Sequence, residues 1–285
     1  MALNYERLKS FKFPEIEQTY TERDVMLYAL SVGYGSNPLD EADLTYVYEK
    51  ALKPAPTFAL TLGFFSISKL DLGINYTKVV HSAQGLRLHA TLPSNATIVC
   101  KTHISDVWDL GADKGAILRI VRNVYNKADG LHLATTTMDA MCRADGGFGG
   151  PKPPEKPAAC PMSAPTYQED VATLPQQALL YRLSGDFNPL HVDPSMAKKA
   201  GFSRPILHGL ANYGIAVREV LKRVCNYEDQ RIIEVSARFT APFFPGETLR
   251  IDIWDQPSDN KVQFRASVVE RSTTVLDFGS VLLTG

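Results

Sequence analysis

Apolar and polar positions change their rhythm several times along the chain. Ile233, Val235, Ala237 and Phe239 alternate with Glu234, Ser236 and Arg238. A period of two sends successive side chains to opposite faces of a strand, so this stretch predicts a half-buried strand. Leu249, Ile251 and Ile253 repeat the pattern after a Phe-Pro-Gly-Glu turn. Val262, Phe264, Ala266 and Val268 predict a third strand, and Val275 to Leu283 a fourth. Upstream the period is helical. Leu210, Tyr213, Gly214, Val217, Leu221 and Val224 follow an i, i+3, i+4, i+7 spacing, which predicts a helix from about Leu210 to Cys225. Two shorter helices are expected before it. Thr173 is placed to cap the first, with Pro175 in its opening turn, Leu179, Leu180 and Leu183 on its apolar face and Gly185 as its stop. Asp193 caps the second, with Pro194 at its first position and Gly201 beyond its end.

One long helix followed by hairpin-linked strands implies an antiparallel sheet curled around that helix, the hot-dog arrangement. The first half repeats part of it. Thr21-Glu-Arg-Asp24 is a capping-box start. Alternating stretches run from about Ile74 to Ala90, Ala96 to Val107, Ala116 to Tyr125 and Leu131 to Met141. Leu27-Tyr-Ala-Leu-Ser-Val-Gly-Tyr-Gly-Ser-Asn-Pro38 resembles Leu180-Tyr-Arg-Leu-Ser-Gly-Asp-Phe-Asn-Pro189. Between the halves lies a Gly- and Pro-dense stretch, GGFGGPKPPEKPAACPMSAPT, whose composition favours an extended surface connector. The expected class is therefore α+β, a double hot-dog fold. Its parts are a first unit over 1–145, a linker over 146–166 and a second unit over 167–285. No helix in the first half matches the long one of the second, so the first unit is expected to be degenerate, with an opening where that helix would lie.

Composition narrows the function by exclusion. The net charge is -1, so no basic excess speaks for nucleic acid or an anionic membrane surface. No apolar run approaches the ~20 residues that a membrane span needs. The four cysteines, Cys100, Cys142, Cys160 and Cys225, form no C-x-x-C pair and fit no zinc ribbon, so free thiols in a reducing, intracellular and soluble setting are expected. Met1 to Phe13 has no apolar core of a secretory signal, and the closing Leu-Leu-Thr-Gly shows no peroxisomal address.

The chemistry concentrates in one string. Tyr181-Arg-Leu-Ser-Gly-Asp186-Phe-Asn188-Pro-Leu-His191-Val-Asp193-Pro holds an acid, an amide and an imidazole within six positions, whereas the first-half copy, Tyr34 to Pro38, lacks both acid and imidazole. As an isolated pentapeptide, Gly-Asp-x-Asn-Pro reads as a turn. Asp186, His191 and Asp193 could also ligate a metal, but Asp193 is more simply the helix cap, and no metal is expected. The string resembles the signature of the MaoC-like, or (R)-specific hydratase 2, family. Ile206-Leu-His-Gly-Leu210 and Ala237-Arg-Phe-Thr-Ala-Pro-Phe-Phe-Pro-Gly-Glu-Thr-Leu249 resemble two more of its hallmarks. The first half, with Asp43-Leu-Thr-Tyr-Val-Tyr-Glu49, Pro56-Thr-Phe58 and Gly146-Gly-Phe-Gly-Gly150, is similar to the hydratase 2 domain of peroxisomal multifunctional enzyme type 2.

The resemblance implies a hydro-lyase that adds water reversibly to trans-2-enoyl-CoA, giving (3R)-3-hydroxyacyl-CoA in fatty-acid β-oxidation. It implies an acid/base pair of Asp186 and His191 sharing one water, and an oxyanion donor at the Gly209 amide. The Asn188 amide is expected to orient the water. Glu49 is expected to shape the site, His208 to serve a structural role, and Arg204, Arg238, Lys198 and Lys199 are candidates to meet CoA phosphates. The first unit is expected to hold the acyl chain. His81, His89, His103 and His132 lie in strand-like segments without clustered partners and receive no role. The reaction exchanges only water and a proton, so no cofactor beyond the CoA of the substrate is expected. The family suggests a homodimer and a peroxisomal setting. Two alternatives stand beside this reading: a hot-dog acyl-CoA thioesterase and a non-catalytic acyl-CoA binding module.

Overall fold

The computed structural model describes residues 3–155 and 157–285. Met1 and Ala2 of the expected first unit, and Lys156 of the expected linker, lie outside them. Ten strands run in chain order: β1 (Ile16–Tyr20), β2 (Val79–Leu88), β3 (Ala96–Asp109), β4 (Ala116–Asn126), β5 (His132–Cys142), β6 (Tyr167–Ala172), β7 (Ile232–Phe239), β8 (Thr248–Gln256), β9 (Lys261–Val268) and β10 (Thr273–Leu283). The α-helices are α1 (Tyr5–Lys9), α2 (Glu22–Ser31), α3 (Glu41–Leu44), α4 (Gln177–Tyr181), α5 (Pro194–Lys199) and α6 (Gly209–Arg223).

All ten strands form one antiparallel sheet in the order β1-β3-β4-β5-β2-β7-β10-β9-β8-β6. Read outward from the central β2–β7 pair, one side runs β2-β5-β4-β3-β1 and the other β7-β10-β9-β8-β6. The second series is the first with every label advanced by five, so the two sides share one topology. This is a double hot-dog fold. The seam between its sides is five residue pairs long, from Ala83 opposite Arg238 to Arg87 opposite Glu234.

Helix α6 is the spine of the second side. Every residue from Ala211 to Leu221 is buried, because the helix packs against β6–β9 and also against a 3-10 turn, Pro56–Leu60, from the first side. At about 1.5–3 kcal/mol for each large apolar side chain taken out of water, this helix is a principal source of cohesion between the sides. Among the described residues the first side has no counterpart of its length, since α2 has ten residues. Its inner face is covered instead by 54–63, all of it buried. A second, smaller core lies under α1, where Leu3 and Leu8 meet Ile104, Leu118 and Ile120.

The predicted strands and α6 stand where their periodicity put them. So does α5, whose first turn Asp193 caps by accepting from Ser195 N at 2.7 Å. In α2, the Asp24 carboxylate accepts from Thr21 N at 2.8 Å, as the capping-box reading expects. Two local readings fail. Thr173 caps nothing: its hydroxyl donates to the Glu247 carbonyl at 2.7 Å and accepts from Gly246 N at 3.0 Å, which leaves α4 to begin later. Leu179 and Leu183 are not on the buried face, being 48% and 50% exposed, while Gln177, Ala178 and Tyr181 point inward. The run 146–166 contains no helix or strand among its described residues, yet it is docked: Cys160 is buried with its thiol toward the Phe264 carbonyl, and Trp254 Nε1 donates to Ser163 O at 3.0 Å. All four cysteines are buried free thiols.

Candidate active site

Three irregular segments meet at the start of α6. After α4 the chain tightens into a 3-10 turn, Arg182–Ser184, and Gly185 ends it in a left-handed conformation at φ 118°. Asp186 follows, partly exposed, and its carboxylate accepts from Asn188 N at 3.1 Å. Asn188 then caps another 3-10 turn, Pro189–His191, by accepting from Leu190 N at 3.1 Å. These local bonds are why the string needs Asp, Asn and Pro at this spacing: each short side chain fixes the backbone two residues on. The turn delivers His191 into the interior, where its Nδ1 lies 2.9 Å from the carbonyl of Ile206. A carbonyl only accepts, so Nδ1 carries the proton and Nε2 keeps its lone pair.

His208 immediately precedes α6. Its ring stacks on that of His191, with centroids 3.7 Å apart. Its Nε2 donates to the Asp186 carbonyl at 3.1 Å, which leaves its Nδ1 as a buried lone pair without a partner among the described residues. Burial holds the His191 imidazole below its ordinary pKa, with the Ile206 carbonyl and Asp186 opposing that shift. Burial also lowers His208, to about 3, and the neighbouring His191 adds to the effect. Both rings are therefore neutral at pH 7. Polar atoms of Asp186, His191 and His208 all lie within 4.8 Å of one another. One carboxylate and two imidazoles are also a donor set of the kind that holds a metal ion. The arrangement suits a small polar molecule held between acceptors.

Gly209 begins α6, so its N–H has no partner within the helix and points with the helix dipole. A Cβ there would come within 2.9 Å of the Phe239 ring. Glycine lets the helix start sit close against β7 and keeps that N–H uncovered.

Nine buried polar side-chain atoms lack a hydrogen-bond partner among the described residues, and six of them belong to Tyr181, Arg182, Ser184, His208, Asn212 and Tyr213. Native proteins leave few such groups. A concentration of them around one acid and two imidazoles marks a place built for something the chain itself does not supply. Tyr213 was legible as part of the apolar face of α6, but Arg182, Ser184 and Asn212 escape sequence reading because nothing in their spacing shows that their polar atoms are buried.

The other expected site residues are scattered. Arg204 is exposed two residues before Ile206, its guanidinium 5.1 Å from the Phe244 ring. Lys198 is exposed near the end of α5. Arg238 precedes Phe239 on β7, so strand alternation turns it away from the face that carries Gly209, toward Phe278 at 5.8 Å. Glu49 is exposed, and its segment is anchored elsewhere: the Tyr46 hydroxyl donates to the Tyr227 carbonyl, beyond the far end of α6. The structure thus brings Asp186, Asn188, His191, His208 and Gly209 together and leaves Arg238 and Glu49 apart from them. His89 and His132, read as unclustered, in fact stack at 3.9 Å, because β2 and β5 are paired.

Two family models cover most of the chain: a MaoC like domain matches 157–277 and the MFE-2 hydratase 2 N-terminal domain matches 18–144. The peroxisomal enoyl-CoA hydratase 2 of Arabidopsis thaliana is 36% identical, over 96% of this chain and 93% of its own length. A MaoC-like dehydratase from Phytophthora capsici superposes with a TM-score of 0.86 at 30% identity, covering 99% of both chains. The full-length peroxisomal multifunctional enzyme type 2 of Drosophila melanogaster gives a TM-score of 0.82 at 32% identity, over 95% of this chain and 48% of that one. On both sequence and fold, the chain belongs to the MaoC-like hydratase 2 family.

Proposed function

We propose that this protein is an (R)-specific 2-enoyl-CoA hydratase, adding water reversibly to trans-2-enoyl-CoA to give (3R)-3-hydroxyacyl-CoA. The observation that carries the reading is the set of acceptors at the start of α6. Asp186 supplies a carboxylate, and His191 a neutral imidazole whose Nε2 lone pair is fixed by the Nδ1 bond to Ile206. A water held between the two donates one proton to each, which leaves an oxygen lone pair free to attack C3. As the C3–O bond forms, one water proton passes to this pair. The same pair returns a proton to C2, so that one water is consumed and both partners end as they began. Asn188 spends its carbonyl oxygen on Leu190 N, which leaves its NH2 to orient the water. Negative charge gathers on the thioester oxygen during the attack, and the Gly209 N–H is the donor suited to it.

His208 buttresses the pair. It stacks on His191 and holds the Asp186 backbone, so it is a positioning residue. Arg204 and Lys198 are the cations suited to the CoA phosphates, and the first side is suited to the acyl chain. Family membership supports fatty-acid β-oxidation, a peroxisomal setting and a dimer as the context, and the chemistry calls for no cofactor. Among the described residues no helix is long and apolar enough to cross a membrane.

The test follows the conjugated-thioester absorbance of trans-2-enoyl-CoA, with the product coupled to (3R)- and (3S)-specific dehydrogenases. Turnover by the wild type, loss in Asp186→Asn and His191→Gln, and signal only from the (3R)-specific enzyme are expected. Release of free thiol from acyl-CoA would favour a thioesterase, and tight binding without turnover a binding module.

A further inference from the structure

Of the nine buried polar atoms without a partner among the described residues, the Tyr28 hydroxyl lies on a ring packed against Tyr181, and two lie away from the start of α6: Thr102 Oγ1 and Arg122 Nε. These residues are direct cross-strand partners on β3 and β4, and Arg122 is also paired across to Thr136 on β5. Thr102, Arg122 and Thr136 therefore form a polar row across three strands. Strand alternation puts the row on the inner face of the first side, in line with Cys100, Val124 and Ala134 in one direction and with Ile104, Ile120 and Met138 in the other. The first three belong to the main apolar core and the last three to the smaller core under α1. The row is the polar gap between two apolar clusters.

Its charge is unmatched. No carboxylate pairs with Arg122 among the described residues. One of its donors, Nη1, reaches the Leu62 carbonyl at 2.6 Å, and its guanidinium lies 5.6 Å from the Phe65 ring. A guanidinium set among apolar groups without a counter-ion is unfavourable, and its fork of donors matches a carboxylate. The segment that covers it also leads to the proposed active site: Phe64 lies 3.9 Å from where a Cβ of Gly185 would stand, next to Asp186. From Asp186, the chain through His191 and Ile206 leads toward Arg204 on one side, and contact through Gly185 and Phe64 leads toward Arg122 on the other.

We infer that Arg122, with Thr102 and Thr136, recognises a carboxylate at the distal end of the acyl chain, so that ω-carboxyacyl thioesters are preferred substrates. This inference rests on the hydratase reading for its catalytic arm only. With the CoA phosphates met near Arg204, the thioester at Asp186 and the chain running past Phe64, the distal carboxylate arrives at the row.

Two measurements on the full chain test it. The first compares kcat/KM for trans-2-octenoyl-CoA and its ω-carboxylated counterpart, in wild type, Arg122→Lys and Arg122→Met. The second titrates the saturated pair, octanoyl-CoA and suberoyl-CoA, by calorimetry, which needs no turnover. The wild type is expected to prefer the carboxylated member on the order of 10- to 100-fold, the scale of a charge-assisted hydrogen bond in a desolvated place. Arg122→Met is expected to abolish that preference through KM while keeping the simple substrate within about threefold, and Arg122→Lys to restore part of it. Equal losses on both substrates would make Arg122 a strut for Leu62 and overturn the inference, as would a wild type without preference. If neither enoyl-CoA reacts, the hydratase reading fails, and the calorimetric preference still decides the role of Arg122.

Discussion

The two copies of the turn motif have opposite fates. In the second, Asp186 and His191 stand among side chains with unmet hydrogen-bonding capacity. In the first, the end of the corresponding segment, at Gly35 and Ser36, closes into an ion network. Asp43, fully buried, accepts from Gly35 N and, at 3.4 Å, from Arg218 Nε; the Tyr227 hydroxyl donates to Asp40 and Asp43, and Arg218 Nη2 donates to Ser36. Arg218 Nη1 completes the set 3.1 Å from Glu219. Where each donor meets an acceptor the cluster is a fastening, here between the first side and the middle of α6. Where donors and acceptors are left over, the cluster is a place for a guest.

This contrast can be broken most sharply at Asp186. Asp186→Asn should keep the fold and lower kcat by roughly 10²- to 10⁴-fold, because it removes an acceptor and leaves the neighbours in place; hydration kinetics beside a thermal melt would show the split. The mirror experiment is Asp43→Ala. Losing one of the two buried carboxylates that meet Arg218, and with it the acceptor of Gly35 N, should destabilise by about 3–5 kcal/mol in denaturant titration, with kcat of the folded fraction little changed. If Asp43→Ala instead abolished kcat in a stable protein, the distinction between fastening and site would collapse. Next comes Gly209→Ala, whose new methyl meets Phe239 and should destabilise by about 1–3 kcal/mol while lowering kcat more than it raises KM.

Acid should sharpen the contrast further. His208 and His81 titrate at about 3 and about 4, and His191 below its ordinary 6.5. Each is depressed relative to the unfolded chain, so the unfolded state takes up protons first. Stability should fall as pH drops below about 6.5 and go on falling toward pH 4, with Tm against pH as the readout. A histidine-to-asparagine change at His208 should flatten that slope. The smallest effect is expected at Leu179. Leu179→Gln should change stability by no more than about 0.5 kcal/mol, since this side chain is half exposed, whereas Ala178→Leu should be clearly destabilising in the same melt.

Leu179 also shows what the sequence could not reveal. Three leucines at helical spacing point to a buried face, yet tertiary packing chose Gln177, Ala178 and Tyr181. The strands of strong alternation, and α6 with its apolar face, were legible because periodicity alone determines them, whereas the burial of Asn212, Arg218 and Glu219 around the rest of α6 was not. β1 and β6 were not. They are the two outer strands of the sheet, paired on one side only, and carry Glu17, Gln18, Gln168, Glu169 and Asp170, which blunt an exposed edge and erase the apolar signal. The motif around Asp186 was legible because its contacts are local, within a few residues. Arg218 with Asp43, separated by 175 positions, and Arg122 with Thr102 depend on strand register and helix placement, and no spacing in the chain announces them.

The β2–β7 seam has a consequence for how the molecule responds to dilution. Two separate hot-dog chains joined by this short edge, by α6 and by the Asp43–Arg218 cluster would still part at sufficient dilution. Here the linker keeps the strands before and after it at a fixed, high effective concentration, whatever the amount of protein. The groups gathered where the two sides meet, with Phe64 of one against Gly185 of the other, therefore stay assembled in a single chain at any concentration. Their union belongs to the covalent structure rather than to mass action.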